Sequence, residues 1–167
     1  DISYTVQVYE MGTDGRYSDD PTSTMTGTGK MDATVTVSHE TKTGFTADTE
    51  KSVTSATMTE SGAVLKLYYS RNQYTITFDT DGGTPIEDAT YYYGAAVTVP
   101  EDPEKAADDE FTYQFLKWTP AIPATMPAGD QTVTAEYEKT TRTYAVQWVD
   151  GNGNVIKTEH MAYGTTP

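Results

Sequence analysis

Apolar and polar residues alternate with a period of two in several short runs, and that pattern predicts strands. In YTVQVY (Tyr4–Tyr9), YTITFD (Tyr74–Asp79) and YAVQWV (Tyr144–Val149), alternate positions are apolar or aromatic, as expected when one face of a strand meets a core. QTVTAEYE places Val133, Ala135 and Tyr137 on one face, and DATVTVSH does the same for Val35 and Val37. AVLKLYY is apolar on both faces, with Leu65, Leu67 and Tyr69 in one row and Val64 and Tyr68 in the other. That suits a central strand. Thr13-Asp14-Gly15, Asp81-Gly82-Gly83 and Gly151-Asn152-Gly153-Asn154 predict hairpin turns. Pro100, Pro103, Pro120, Pro123 and Pro127 confine the chain between them to loops and sheet edges. PEKAADDE, Pro103–Glu110, is the one helix candidate, with Pro103 at its first position. It is too short to stand alone and is expected to lean on a sheet.

The runs recur. Tyr4, Tyr74 and Tyr144 are spaced by 70 residues, and at that offset Ile76 matches Val146, Phe78 matches Trp148, and Ile86 matches Ile156. Gly83 likewise matches Gly153, and Tyr93-Gly94 matches Tyr163-Gly164. A fixed period of this length implies tandem small domains: 1–72, 73–139, and a truncated third unit at 140–167. The expected order in the second is strand, turn, strand, strand, short helix or acidic loop, strand, proline-rich loop, strand. The linkers SRNQ (Ser70–Gln73) and EKTTRT (Glu138–Thr143) are too short for flexible tethers, so a semi-rigid stack of units is expected. A unit of about 70 residues buries only about 60% of its unfolded surface, which predicts small cores. The chain opens on a strand-like run and closes inside a repeat, as a fragment of a longer protein would. The third unit, with two strands, is expected to be disordered or packed on a neighbour.

Composition narrows the function. Thr occurs 32 times, Tyr 13 times and Leu three times, a bias toward half-exposed sheet surface. Cysteine is absent, so disulfides and thiolate metal sites are excluded. The net charge is −14. Residues 73–139 hold thirteen acidic and three basic side chains, whereas 140–167 hold two of each. Nucleic acid and anionic lipid are repelled by such a surface. No apolar run reaches the length of a membrane span. Neither nucleic-acid binding nor membrane insertion is therefore expected.

At these residues the chain resembles Gram-positive surface repeats. The second unit, through YTITFDTDGGTPI, YGAAVTVPEDP, FTYQFLKW and TVTAEYE, is similar to the Listeria–Bacteroides repeat, or internalin-B B-repeat. YAVQWVDGNGNVIKTEHMAYGTTP begins the same repeat. The first unit resembles the mucin-binding-protein (MucBP-like) type through GTGKMDATVTV, Gly44-Phe45-Thr46 and VLKLYYSRN. The resemblance implies a β-rich α+β chain of tandem β-grasp, ubiquitin-like domains stacked end to end. It also implies display on a bacterial cell wall, outside the cell, with a role as stalk or in adhesion. It carries no catalytic residues. The acidic insert Glu101–Glu110 departs from the repeat's common pattern.

Chemistry is sparse, and neither a catalytic set nor a cofactor is expected. His39 and His160 lie in different units, outside any metal or catalytic motif. Asp79-Thr-Asp81-Gly82 and Asp150-Gly-Asn152-Gly-Asn154 echo a calcium loop but lack its distal glutamate. Asn occurs only at 72, 152 and 154, in a linker and a turn, which disfavours a Lys–Asn isopeptide bond. Tyr74, Ile76, Phe78, Trp118 and Trp148 are the expected repeat core. Tyr68, Tyr91 and Tyr92 are the candidate ligand surface, where ring faces could stack on sugars. The leading expectation is a non-enzymatic spacer segment, adhesive in addition if it meets a host glycan, mucin or matrix protein. The alternative is a carbohydrate- or mucin-binding module using the exposed tyrosines.

Overall fold

Twelve strands and no helix make up the chain, all 167 residues of which are described by a computed structural model. They are β1 (Ile2–Glu10), β2 (Ser23–Gly29), β3 (Thr34–Thr36), β4 (Phe45–Ala47), β5 (Ser55–Thr57) and β6 (Val64–Arg71), followed by β7 (Gln73–Asp79) and β8 (Ala89–Tyr92). Then come β9 (Phe111–Thr119), β10 (Gln131–Thr141), β11 (Thr143–Val149) and β12 (Val155–Ala162). The four-stranded sheets run β2-β1-β6-β4 and β8-β7-β10-β9, and β3–β5 and β11–β12 are two-stranded. In both larger sheets the first strand of the repeat sits between its second strand and its last, so the 70-residue period extends to the order of the strands.

The all-β architecture overturns the α+β, β-grasp expectation, because that fold needs a helix across its sheet and none forms. The failure is local to Pro103–Glu110, which is irregular throughout. Glu104 and Thr84 bond each other instead of helical partners. The Thr84 N–H donates to the Glu104 carbonyl at 2.8 Å, and the Glu104 N–H donates to the Thr84 hydroxyl at 3.2 Å. Farther on, the Asp108 carboxylate accepts from the N–H groups of Glu110 and Phe111 at 2.9 and 2.6 Å. A side chain that binds the backbone two and three residues ahead offers an alternative to the helix ladder, and four like charges in eight residues leave that ladder little to gain.

By compactness the chain forms two units, one of residues 1–76, 89–98 and 123–131, the other of 77–88, 99–122 and 132–167. In the first, β1 lies antiparallel to β2 and parallel to β6 (Thr5↔Val64 through Glu10↔Tyr69). The inward rows of those strands, Val6 and Val8 with Leu65, Leu67 and Tyr69, form the core, lined further by Tyr4, Val35, Val37, Phe45 and Ala56. β6 is central, yet only one of its rows is buried. Val64 is 51% exposed, which corrects the expectation that both faces are covered. The unit also holds the start of β7, paired with β8 from Gln73↔Tyr92 to Ile76↔Ala89, and the buried side chains of Ile76 and Met126. The third strand expected in the second repeat shrinks to an isolated bridge, Ala96↔Thr125.

In the second unit, β9 and β10 pair antiparallel with a register shift between Glu136 and Tyr137. Trp118, Val133, Ala135 and Phe78 are buried there, and Trp118 meets both Phe78 and Phe115 at ring-centroid distances of 5.5 Å. The shift lets Leu116 bulge out, 57% exposed. β11 and β12 form a hairpin through the 150–154 turn. Of the three turns expected to close hairpins, only this one joins adjacent strands tightly. The other two sit inside the longer connections 11–22 and 80–88.

Candidate functional site

The candidate ligand-surface tyrosines do not form one platform. Tyr68 stacks on Tyr9 at 4.5 Å with the rings 6° from parallel. Tyr17 meets Tyr68 edge-on at 5.0 Å, and the Lys51 ammonium stands over both Tyr17 and Tyr68. One face of Tyr68 is therefore taken by the Tyr9 ring, and Tyr17 and the Lys51 ammonium crowd the same half-buried ring. Tyr17 donates to Asp48 at 3.3 Å. Burial, followed by the Asp48 carboxylate and its hydrogen bond, pushes the Tyr17 phenol up to about 12. Tyr91 accepts from the Thr98 N–H at 3.2 Å, and Tyr92 lies against Gly15. These rings fasten loops to strands.

Of the core candidates, Ile76, Phe78 and Trp118 are buried, and Tyr74 is half-buried. The Trp118 indole N–H has no hydrogen-bond partner. Trp148, at the Phe78 position of the repeat, is only half-buried, and the Lys157 ammonium lies 5.0 Å from its ring.

The electrostatic turns serve the backbone. Asp79 accepts from the Asp81 N–H at 3.0 Å. Asp150 accepts from the N–H groups of Asn152 and Asn154 at 2.8 and 3.0 Å, and from the Asn154 amide at 3.2 Å. No three His, Asp or Glu side chains converge as metal ligands. His39 is bonded to Ser52 and to the Tyr68 carbonyl at 3.0 and 3.2 Å. Hydrogen bonds from Asn154 and Asn152, led by the Asn154 backbone, hold Asp150 below its ordinary 3.8. A carboxyl depressed on folding stabilises above its unfolded pKa and ceases to do so as pH falls through the folded value. Acidification below about pH 3.8 should therefore loosen the 150–154 turn, read as lower protection of the Asn152 and Asn154 amides relative to the unfolded-chain exchange rate at the same pH. Asp150→Asn should remove that pH dependence of protection, and protection that stays flat with pH in the parent chain would refute the assignment.

The arrangement most particular to this chain lies at its repeat joints. β6 runs into β7 with only Asn72 between them, and β10 into β11 with only Arg142 between them. Each of these residues is held by an equivalent pair of backbone bonds. The Asn72 N–H donates to the Gly44 carbonyl at 2.9 Å, and the Asn72 carbonyl accepts from the Tyr93 N–H at 2.8 Å. Seventy residues on, the Arg142 N–H donates to the Glu110 carbonyl at 2.7 Å, and its carbonyl accepts from the Tyr163 N–H at 2.9 Å.

Side chains reinforce both joints. Arg71 donates from Nε to the Met11 carbonyl at 2.8 Å and from Nη1 to the Tyr93 carbonyl at 2.7 Å. Its guanidinium covers the Phe45 ring at 4.6 Å, and Phe45 meets Tyr93 edge-on at 6.1 Å. At the second joint Arg142 donates to the Asp108 carbonyl at 2.7 Å, and the Tyr144 hydroxyl donates to the Asp109 carbonyl. Sequence reading missed Arg71, Gly44 and Phe45 in this role. The signal present was the Tyr93-Gly94 and Tyr163-Gly164 match together with an arginine in each linker.

No family model matches the chain, and no curated protein does. Among solved structures, the chain is similar to Streptococcal High Identity Repeats in Tandem (SHIRT) domains 3-4 from a cell surface protein. Identity is 17%, with 84% of this chain and 99% of that chain covered, at a TM-score of 0.28. A TM-score of that size does not establish a common fold.

Proposed function

We propose that this chain is a non-enzymatic tandem-repeat segment of a bacterial cell-surface protein, working outside the cell as a semi-rigid spacer. The observation that supports it is the strand-to-strand joint, made with the same pair of backbone bonds at Asn72 and at Arg142. A joint with one residue between strands, and that residue's N–H and carbonyl both bonded, leaves little free chain to bend. Within the first sheet, parallel pairing of β1 and β6 means that tension applied between the start of β1 and the end of β6 loads the ladder in shear. All of its bonds then share the load at once. Placement on a bacterial surface is supported by the resemblance of the first and second repeats to surface repeats. Glycan binding by the tyrosines is the second reading, and it is weakened at Tyr68, whose ring already stacks on Tyr9 beside Tyr17 and Lys51.

Stiffness at the joint is what a spacer needs and what a set of independent binding modules does not. Spin labels at Thr57→Cys and Thr98→Cys, both exposed positions in a chain without other cysteine, should give a narrow distance distribution. Three glycines inserted after Asn72 should broaden it severalfold. If the uninserted chain is as broad as the insertion variant, the spacer reading fails.

A further inference from the structure

One lysine in each of the first two repeats stands in the same surroundings. The Lys42 ammonium lies 4.9 Å from the centre of the Tyr69 ring and 2.7 Å from the Glu10 carboxylate. The Lys105 ammonium lies 5.3 Å from the centre of the Tyr137 ring, 4.6 Å from that of Tyr113, and 3.8 Å from the Asp81 carboxylate. Tyr69 ends the row Leu65, Leu67, Tyr69 of β6, and Tyr137 ends the row Val133, Ala135, Tyr137 of β10. Glu10 closes β1, and Asp81 lies just past the end of β7. Neither the lysines nor the tyrosines stand at the 70-residue offset, so the likeness is one of place in the fold and not of position in the repeat.

Each lysine belongs to the segment that serves its joint. Past Lys42 the chain turns, the Lys42 carbonyl accepting from the Phe45 N–H at 3.1 Å, and enters β4, whose Phe45 pairs with Arg71. Past Lys105 it enters β9, whose Phe111 pairs with Thr141. The residue just before each of these edge strands, Gly44 or Glu110, gives its carbonyl to the joint N–H, that of Asn72 or Arg142. The tyrosines are themselves held. The Tyr69 hydroxyl accepts from the Glu40 N–H at 2.9 Å, and the Tyr137 hydroxyl donates to the Thr80 carbonyl at 2.7 Å. An ammonium over a fixed aromatic ring, with a carboxylate beside it, is attracted by both. The lead-in segments, SHETKTG and EDPEKAADDE, differ in length and composition, and their agreement at the lysine points to a shared requirement.

We propose that Lys42 and Lys105 are equivalent clasps. Each fixes the lead-in segment of an edge strand against the last tyrosine of the apolar row, and so holds in place the carbonyl that locks its joint. They are positioning residues, acting on Asn72 through Gly44 and on Arg142 through Glu110. The first clasp and its joint lie wholly in one compact unit, and the second clasp and its joint in the other, so each acts on its own joint. The use of such a clasp rests on the spacer reading, because a joint needs fastening only in a chain that has to resist bending. Both lysines are half-buried, and a cation over a ring in such a setting contributes modestly. Losing it loosens the joint and leaves the sheet folded.

Amide hydrogen exchange on the full chain, taken relative to unfolded-chain rates at the same pH, is the test. Lys42→Met keeps most of the stem and removes the charge. It should lower protection of the Asn72 amide about fivefold, the size of an exposed cation–π contact, with the Arg142 amide unchanged. Lys105→Met should do the reverse. Lys42→Arg and Lys105→Arg keep a cation over the ring and should preserve protection at both joints. The clasp is overturned if the methionine variants leave their joint amides unchanged or if the arginine variants lose as much. It is likewise overturned if the other amides of β6 and β10 lose protection to the same extent, because the lysine then supports the sheet as a whole. A broad Thr57–Thr98 distance distribution in the unaltered chain would instead sink the spacer reading, and the exchange comparison would still decide whether the lysines hold the joints.

Discussion

Leu65→Ala is expected to lower the melting temperature of the first sheet by about 10–30 °C, while Val64→Ala, one residue earlier on β6, barely moves it. Leu65 is fully buried, and its row meets Val6 and Val8 across β1. Truncating a buried leucine to alanine costs about 2–5 kcal/mol, the lost transfer energy plus the cavity. A unit of this size is worth only about 0.05–0.15 kcal/mol per residue, so the loss removes a large part of its stability. Each kcal/mol moves the midpoint by about 4–8 °C in a domain of about 60–100 residues. Val64, half in solvent on the opposite face, belongs with surface substitutions, which stay within about 0.5 kcal/mol. The measurement is thermal unfolding followed by circular dichroism, with the Trp118 indole resonance as an internal reference in the other compact unit. Equal shifts for the two variants would mean that β6 is not one-sided and that the core has been misplaced.

This pair also marks where the sequence was legible and where it was not. Period-two alternation located β1, β6, β7, β10 and β11, because half-buried strands write their burial directly into residue order. The two rows of β6 were read correctly, but apolar character alone did not say which row was covered. Val64 looks as apolar as Leu65 and Leu67, and nothing in residue order says that Val64 stands in solvent while the Leu65 row is covered. The helix was misread at Pro103–Glu110 because composition there favours a helix. The local bonds of Asp108 and the reciprocal bonds of Glu104 with Thr84 depend on tertiary placement. Matching residues seventy apart announced the repetition, yet the joint went unnoticed. Its main bonds are backbone to backbone, and a carbonyl at Gly44 leaves no mark in side-chain chemistry.

Gly44 should prove the most sensitive single position at that joint. Gly44→Val is expected to destabilise the first compact unit by about 2–4 kcal/mol and to broaden the Thr57–Thr98 distance distribution. Two causes combine. Gly44 has φ of +79°, a conformation that costs a β-branched residue about 1–3 kcal/mol. A Cβ there would also run into the Tyr93 ring, and overpacking costs about 1–3 kcal/mol more when the neighbour has to move. Tyr93 is poorly placed to yield, since its N–H bonds Asn72, its carbonyl accepts from Arg71, and its ring meets Phe45. Gly94→Ala separates the two causes. Gly94 has nearly the same φ, +76°, but what a Cβ meets there is Arg71 Nη1 at 3.3 Å, which need give by only a few tenths of an ångström and can keep its bond to the Tyr93 carbonyl. That variant should lose only about 1 kcal/mol, the backbone cost alone, and leave the distance distribution narrow. Denaturant unfolding and the paired spin labels read both effects. Should Gly44→Val and Gly94→Ala prove equally costly, with the joint equally narrow in each, Tyr93 is not the wedge that fixes it, and the stiffness resides in the Asn72 backbone bonds alone.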